Sequence, residues 1–598
     1  MTWKAPLRDM QFVLQHWLRA DQAWAQLPAY ADVDLDLAAQ VLEEAARFCE
    51  QVLAPLNSSG DRQGCQMEGG EVRTPDGFPA AYRAYVDGGW PSLACAPALG
   101  GQGLPLVLEA ALQEMLFGSN HGWAMYTGIA HGAYLCLKAH ASAELQARYL
   151  PGIVSGATLP TMCLTEPQAG SDLSLLRCRA VPLGDGGDGG YAVSGNKLFI
   201  SGGEHDLTRD ILHLVLARLP DAPPGNRGLS LLLVPKWLED GQRNTLYCDG
   251  LEHKLGIRGS ATCALRLEGA RGWLIGQPHG GLAAMFVMMN SARLHVGLQG
   301  LGHAEAAWQQ ARDYALERRQ MSAPGRAKGG AQGADPIHLH PAMRRVLLEL
   351  RVRTEGMRAL AYWTAQWLDI ADAAVEPAQR AKAATLAALL TPIVKAAFTE
   401  QGFSLASKAL QVLGGYGYTQ EFAIEQTLRD SRIAMIYEGT NEIQANDLML
   451  RKVLGDGGEG FALLLSELRT EAAADAGAAA AALGSACDTL EAALAKVLSM
   501  TAGDPEFPYR AAGDFLQLCA TVLQAFAWAR SARCIQALPV GAAQRREKQE
   551  SVGFFLGYLL PDLDRQVAGI AAAATPLPFI SRSFLNPRAG SACKPAAA

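Results

Sequence analysis

A change of period along the chain constrains its fold more than any other feature of the sequence. From about residue 35 to 150 apolar residues recur at helical spacing, as in LAAQVLEEAARFCEQVLAPL and LPLVLEAALQEML, with breaks read at NSSGDRQG and APALGGQG. Around Thr158 the pattern becomes short runs between glycine-rich turns: LPTMCLTE, GYAVSGNKLFISGG, ILHLVLAR, GLSLLLVPK and TCALRLEGA. Such runs suit short strands rather than one face of a helix, so residues 158–277 are expected to form a compact β unit. After GQPHGG the helical spacing returns in LAAMFVMMNSARLHVGLQGLGHAEAAWQQARDYALERR, and it predicts further helices over 343–371, 376–412 and 441–454, long enough to pack as a bundle. A second glycine-rich break, LGDGGEG, precedes an Ala-rich tail whose acids and cysteine mark packed helix rather than linker. At 598 residues the chain exceeds what one core can organise. The expected class is multidomain α+β, mainly α: an N-terminal extension (1–34), a helical domain (35–157), a central β domain (158–277), a helical bundle (278–455) and an additional helical domain (456–598).

Composition enters mainly by exclusion. A net charge of -7 and the lack of any Lys/Arg run give no nucleic-acid footprint. The twelve cysteines lie far apart, with no C-x-x-C pair and no His at ligand spacing. No metal is therefore expected, and the thiols read as reduced, mostly buried residues of a cytoplasmic protein. Lys4, Arg8 and Asp9 interrupt the apolar residues of MTWKAPLRDMQFVLQHWL, which gives neither a signal-peptide core nor a transit sequence. No uninterrupted apolar run is long enough to cross a bilayer, so no membrane span is expected.

Several stretches have a chemical reading beside an ordinary one. MCLTEPQAGSD (162–172) joins Thr165, a proline turn, Gly170 and Ser171 after a β-like run. Amides and hydroxyls there can hold phosphate or polar ring atoms, or simply close a loop. In NKLFISGGEHD (196–206) Phe199 and Ser201 alternate along a strand and should share a face, for which the core is the ordinary destination. LGGYGYTQ (413–420) offers glycines after a helix but lacks the strand and following helix of a dinucleotide fingerprint. The glycines of GLQGLG (297–302) interrupt a helical pattern and read as close-packing positions. In IAMIYEGTNEIQ (433–444) one acid, Glu438, stands between apolar flanks, beside a Gly-Thr-Asn turn that opens a helix.

In their order, CLTEPQAGSD, NKLFISGG, EHKLGIRGSATC, NSARLHVGLQG, YALERRQ, QVLGGYGYTQ and IAMIYEGTNEIQ resemble the acyl-CoA dehydrogenase flavoprotein family over about residues 35–455. The length, ADPIHLHPAMRR and the tail resemble its large bacterial branch, which includes methylmercaptopropionyl-CoA dehydrogenases. The resemblance implies the fold of that family and FAD-dependent α,β-dehydrogenation of an acyl-CoA to a trans-2-enoyl-CoA, with hydride passing to FAD N5, as in fatty-acid β-oxidation. Glu438 matches the base that takes the α proton; MMNSARL, where some relatives carry that acid, has none.

The same resemblance places Leu164, Thr165, Gly170 and Ser171 along the flavin, with Ser171 near its junction with substrate. Phe199 takes the place usually given to Trp, and Ser201 that of Thr. Thr440 and Glu442 lie just beyond the base, Glu442 where many relatives have Gln. Arg318 and Gln320 resemble positions that reach the FAD of a neighbouring subunit. Gln411, Gly414 and Gly415 resemble the segment that binds its diphosphate and adenosine, which implies a homo-oligomer, at least a dimer. Arg293 and Gly439 fall on the substrate side, Arg293 near the CoA phosphates, while Arg429, Asp430 and Arg432 of LRDSRI are expected in structural ion pairs. Electron-transferring flavoprotein is the implied electron acceptor. An acyl thioester on a carrier protein, oxygen as oxidant, and a flavin-binding scaffold without turnover remain as alternatives. The insertion MSAPGRAKGGAQGADPI after Arg319 stands where many relatives have a short Phe-Gly turn, and is expected to alter subunit contacts or the adenosine site.

Overall fold

The computed structural model describes residues 3–184, 189–325 and 333–580. The middle of the insertion after Arg319 (326–332) and the end of the tail (581–598) lie outside the described residues. The N-terminal residues are part of the core. Helix α1 (Leu7–Phe12) and the turns after it bury Met10, Phe12, Trp17 and Trp24, and the Trp17 indole donates to the Ala527 carbonyl at 3.1 Å.

Helix α2 (Leu35–Phe48) starts where the Asp34 carboxylate accepts from the Leu37 amide at 2.7 Å, and it buries one stripe through Ala38, Leu42, Ala45 and Ala46. NSSGDRQ is not a break: it belongs to a helix, Ala54–Gln63. Its few apolar residues hide the buried face, where Gly60 meets the Phe78 ring and Asp61 pairs with Arg429 at 2.7 Å. Helix α3 (Leu106–Ala124) is buried on nearly every side, so it lacks the one-faced pattern of a surface helix.

The β unit contains β1 (Thr158–Cys163), β2 (Arg179–Pro182), β3 (Gly190–Ser201), β4 (Asp210–Arg218), β5 (Leu229–Pro235), β6 (Leu246–Leu251) and β7 (Thr262–Ile275). β4, β2, β3, β7 and β5 pair in that sequence, and β5 returns to β4, so the pairings trace a closed ring. β1 adds parallel to β4, from Thr158 opposite Asp210 to Cys163 opposite Val215, and β6 adds to β7. Every residue of β5 is buried, which is why it reads as a continuous apolar run.

Helices α4 (Gly281–Glu317), α5 (Pro341–Ala373) and α6 (Pro377–Leu413) form the bundle. The GLQGLG stretch sets their spacing: a Cβ at Gly300 would lie 2.3 Å from the Phe398 carbonyl oxygen on α6. Among the described residues one stretch, Pro377–Tyr418, is long and apolar enough to cross a membrane; most of it is buried inside the fold, where it serves as a core helix. The helix expected over 441–454 is α7 (Asn441–Asn446), continued by a wider π-helical turn, Asp447–Val453.

The C-terminal helices pack on the bundle through α8 (Phe507–Cys534), where the Phe526 ring meets Trp17 and Trp363 at 5.6 and 4.7 Å. A buried ionic cluster ties distant segments together. Arg358 on α5 bonds Asp9 (2.5 Å), Glu114 (2.7 Å) and Glu305 (2.6 Å), while Lys548 on α9 (Ala543–Phe554) bonds Asp9 and Glu355. The described cysteines are free thiols, buried except for the partly buried Cys65.

Candidate active site

Segments from the N-terminal helices, the β unit and the bundle meet at a cavity of about 930 Å³. Its β side begins where β1 runs out into Leu164 and Thr165. The chain then turns tightly, with Glu166 and Ala169 exchanging backbone hydrogen bonds at 3.0 and 2.9 Å, and delivers Gly170 and Ser171 to the cavity wall. Lys197, fully buried under this turn, donates to the Leu164 carbonyl (3.0 Å), the Glu166 carboxylate (2.9 Å) and the Leu216 carbonyl (2.8 Å). Burial alone would raise Glu166, but Lys197 and the amides of Arg177 and Cys178 hold its carboxyl below the usual range.

β3 brings the second group. Its alternation with β7 is broken by a bulge between Lys197 and Ile200, where Phe199 takes φ +59° and its ring stands 60% exposed on the cavity wall. Ser201, opposite Thr262 on β7, lines the same cavity. Phe199 and Ser201 thus share a wall through a bulge rather than through plain strand alternation. An aromatic face with the hydroxyls of Thr165, Ser171 and Ser201 forms a donor set without charge, fitted to a flat conjugated group with polar edges.

The bundle brings Glu438. The residue has φ +56° and is followed by Gly439 at φ +84°, two left-handed positions in succession. For a non-glycine residue that conformation costs roughly 1–2 kcal/mol, so the surroundings must enforce it. They do so through the backbone. Gln444 Nε2 donates to the Glu438 carbonyl (3.0 Å), Lys395 Nζ to the Gly439 carbonyl (2.6 Å), and Thr440 caps α7 by accepting from the Ile443 amide (3.3 Å). Among the described residues no hydrogen bond involves the Glu438 carboxylate itself. Burial pushes it up to about 7 against the pull of Arg293 and Lys395. Apolar side chains of Ile129, Met162, Leu282, Met289 and Val296 line the same space.

Other expected residues fall into distinct places. Arg293 lines the cavity but is buried and paired with Asp447 at 3.0 Å; Gly439 and Thr440 also line it. Arg318, Gln320, Gly414 and Gly415 come together at a separate cavity of about 710 Å³. Gln411 and Glu442 reach neither wall. Both are exposed, and Glu442 sits in the first turn of α7, where a carboxylate favours the helix N-terminus. The insertion after Arg319 closes at its base, where the Gln320 amide donates to the Asp335 carbonyl at 3.0 Å and the Asp335 amide returns to Met321 at 2.8 Å.

LRDSRI needs correction in part. Arg429 forms ion pairs with Asp61 and Glu425, but Asp430 accepts hydrogen bonds from the Ile257 amide and Gln426 instead of forming an ion pair. Arg432 lies over the Phe403 ring at 5.8 Å with a buried Nη1 that has no partner. The 3-10 turn from Arg432 to Met435 directs it into the cavity wall instead of along the helix face of Arg429.

Lys197, Lys395 and Tyr509 were not singled out from the sequence. The only signal for Lys395 is one cation inside an otherwise buried run, TPIVKAAF, and Lys197 has not even that, since Asn196 and Phe199 beside it are exposed. Tyr509, at the start of α8, lines the large cavity, and nothing local announces that. Among the described residues no cluster of three or more His, Cys, Asp or Glu side chains is placed to hold a metal ion.

Comparison with known proteins gives a consistent picture. Residues 37–157, 161–270 and 279–452 match, in order, the N-terminal, middle and C-terminal domains of acyl-CoA dehydrogenase, and residues 464–578 match an acetyl-CoA dehydrogenase C-terminal-like domain. The chain is 45% identical to 3-methylmercaptopropionyl-CoA dehydrogenase of Ruegeria pomeroyi over 529 residues, 87% of this chain and 89% of that protein. It is 35% identical to the broad-specificity linear acyl-CoA dehydrogenase FadE5 of Mycobacterium tuberculosis over 481 residues, 78% of each chain. An acyl-CoA dehydrogenase from Bacillus anthracis, solved as a complex with FAD, shares the fold with a TM-score of 0.74 at 20% identity, covering 92% of this chain and 91% of that one.

Proposed function

The chain belongs to the acyl-CoA dehydrogenase family, and on that premise we propose that it desaturates an acyl-CoA thioester between its α and β carbons, with Glu438 as the base. One observation carries this reading. A carboxylate held only through its own backbone, near a value of about 7, lines a mostly apolar cavity that also presents the Phe199 face and the hydroxyls of Thr165, Ser171 and Ser201.

The side chains supply what the reaction asks of a protein. Ile129, Met162, Leu282, Met289 and Val296 surround an acyl chain and keep water from the reacting carbons. The α carbon is a weak acid, so its base must be both close and poorly solvated; burial gives Glu438 the second property. As the α proton moves to the Glu438 carboxylate, the electrons of that C–H bond become the new C=C bond and the β hydrogen departs with its own pair. FAD, when bound, supplies the acceptor for that hydride. Leu164, Thr165, Gly170, Ser171, Phe199, Ser201 and Thr440 would hold its ring system, and they fit it: the Phe199 face is open to the cavity and the polar groups beside it are uncharged. Arg318, Gln320, Gly414 and Gly415 at the second cavity suit the diphosphate end of the FAD of a neighbouring subunit, so the working unit is at least a dimer. Electron-transferring flavoprotein then takes the electrons, in the cytoplasm.

The test is anaerobic mixing of the yellow protein with a panel of acyl-CoAs and of acyl-carrier proteins, followed at the flavin absorbance. Acyl-CoA should bleach the flavin, and Glu438→Gln should keep the cofactor and slow bleaching by at least about 10²-fold. Unchanged turnover in that variant removes Glu438 from its role. Bleaching by carrier-protein thioesters alone replaces the substrate class.

A further inference from the structure

We infer that Lys395 is the positioning residue of this reaction: its ammonium grips the backbone just after Glu438, aims the carboxylate into the cavity and favours its ionised form. The inference rests on the reading of Glu438 as the base.

Lys395 lies within α6, between Val394 and Ala396, and is 0% exposed. Its Nζ donates to the Gly439 carbonyl at 2.6 Å and to Asn441 Oδ1 at 3.1 Å. Neither acceptor is an acid, and among the described residues no carboxylate forms an ion pair with it. A buried ammonium without an adjoining carboxylate is costly to keep, which makes a merely space-filling lysine an expensive choice. The neighbouring turn of α6 works with it. The Thr399 hydroxyl, one turn on, lies 3.2 Å from the same Asn441 oxygen, and the Asn441 side-chain amide donates to the Ala396 carbonyl and the Glu400 carboxylate, each at 3.2 Å.

α6 thereby fastens residues 439 and 441 on either side of Thr440, while Gln444 fastens the carbonyl of Glu438. Only the carboxylate is left to point into the cavity. Without Nζ the Gly439 carbonyl loses its donor, so the peptide between Gly439 and Thr440 is free to turn and the strained pair at φ +56° and +84° can relax through it. That turn swings the base.

Charge acts in the same direction. The groups facing this pair are Arg293 on α4 with its partner Asp447 on the turn after α7, Glu442 on α7, Arg432, which faces Glu442, and the buried Tyr437 phenol, which burial and then Glu438 hold above its usual range. Burial lowers Lys395 to about 7, opposed by Glu438 and reinforced by Arg293. Lys395 and Arg293 are the cations that oppose the burial of Glu438. Removing one of them raises the base further.

The experiment uses the FAD-loaded enzyme with Lys395→Met, Lys395→Gln and Lys395→Arg. Flavin bleaching by a saturating acyl-CoA is followed from pH 6 to 10, beside KM, flavin content and thermal melting. In the Met variant the maximal rate at neutral pH should fall by about 10²-fold with KM little changed, and the acid limb of the profile should move up by about one pH unit. Gln keeps a donor for the Gly439 carbonyl but no charge, so its limb should move while most of its rate returns at high pH. Arg should restore the limb. A Met or Gln variant with the wild-type limb, or with a slower rate at an unmoved limb, overturns the proposal; should Met fail to fold, Gln decides alone. Glu438→Gln separates the two readings. If it turns over normally the base assignment itself falls, whereas an inert Glu438→Gln beside a wild-type-like Lys395→Met sinks only the role of Lys395.

Discussion

A carboxyl that titrates near 7 is divided between base and acid at neutral pH, and Glu438 is held there by burial against the attraction of Arg293 and Lys395. The direction of the pH dependence follows. Below about 7 the group is protonated and cannot take the α proton, so flavin bleaching should rise with pH through that region and level off above it. An acyl chain that displaces water should raise the carboxyl further, which puts the limb of kcat at a higher pH than that of kcat/KM. Coincident limbs, or a rate that falls with rising pH, count against the assignment. Gly439 offers a second check. At φ +84° it occupies a region that L side chains avoid, and a Cβ there would lie 2.7 Å from Gln444 Nε2, the donor that fixes the Glu438 carbonyl. Gly439→Ala should therefore cost about 1–3 kcal/mol of local strain and depress kcat more than thermal stability. Glu438 stands out in the sequence as one acid between apolar flanks, but a turn explains that pattern equally well, and its reading as the base comes from the family resemblance. Arg293 and Lys395 were not legible as its companions, since each comes from a different helix of the bundle and only the fold brings their charges together.

Local period is what made the long helices and short strands readable, and partners chosen at long range account for the departures. The Ala54–Gln63 helix carries few apolar residues, because part of its buried face is a glycine under a phenylalanine ring and an aspartate bound to a distant arginine. The bulge in β3 is set by its register against β7, which strand alternation cannot report. That bulge has a functional consequence. It gives Phe199 a left-handed backbone and turns its ring onto the cavity wall, beside a strand residue, Ser201, of the same wall. Phe199→Ala should leave the β unit folded, because the ring is not part of its core, and should weaken FAD binding by up to about tenfold, the value of one aromatic stacking contact. Phe199→Trp should retain the cofactor. Fluorescence titration of flavin-stripped protein with FAD measures both, and equal affinities in all three proteins would place the ring away from the flavin.

Across the whole molecule, contacts between chain ends govern both stability and the shape of the site. Arg358 is buried among Asp9, Glu114 and Glu305, so one guanidinium joins the N-terminal helix, the centre of the first helical unit and the bundle. Arg358→Met strands buried acids and should destabilise the fold by about 3–5 kcal/mol, read as a lowered denaturant midpoint. No local pattern forecasts such a cluster, because the acids lie 53, 244 and 349 residues from Arg358 along the chain. The appended helices pose the same difficulty in functional form. α8 begins at Phe507, and its third residue, Tyr509, is 57% exposed on the wall of the large cavity. Arg451, on the π-helical turn against which α8 packs, lines the cavity too, paired with Asp447 at 3.2 Å and over the Phe286 ring at 5.9 Å. The module appended to the bundle therefore shapes the cavity proposed to receive substrate. A contact of that kind acts equally on the ground state and the transition state, so Tyr509→Ala should raise KM for acyl-CoA with kcat nearly unchanged, and Tyr509→Phe, which keeps the ring, should resemble the wild type. Steady-state kinetics on both variants distinguishes the possibilities: a fall in kcat at constant KM would move Tyr509 from the binding wall to the organisation of the catalytic loop, and no change in either would confine the appended helices to stability.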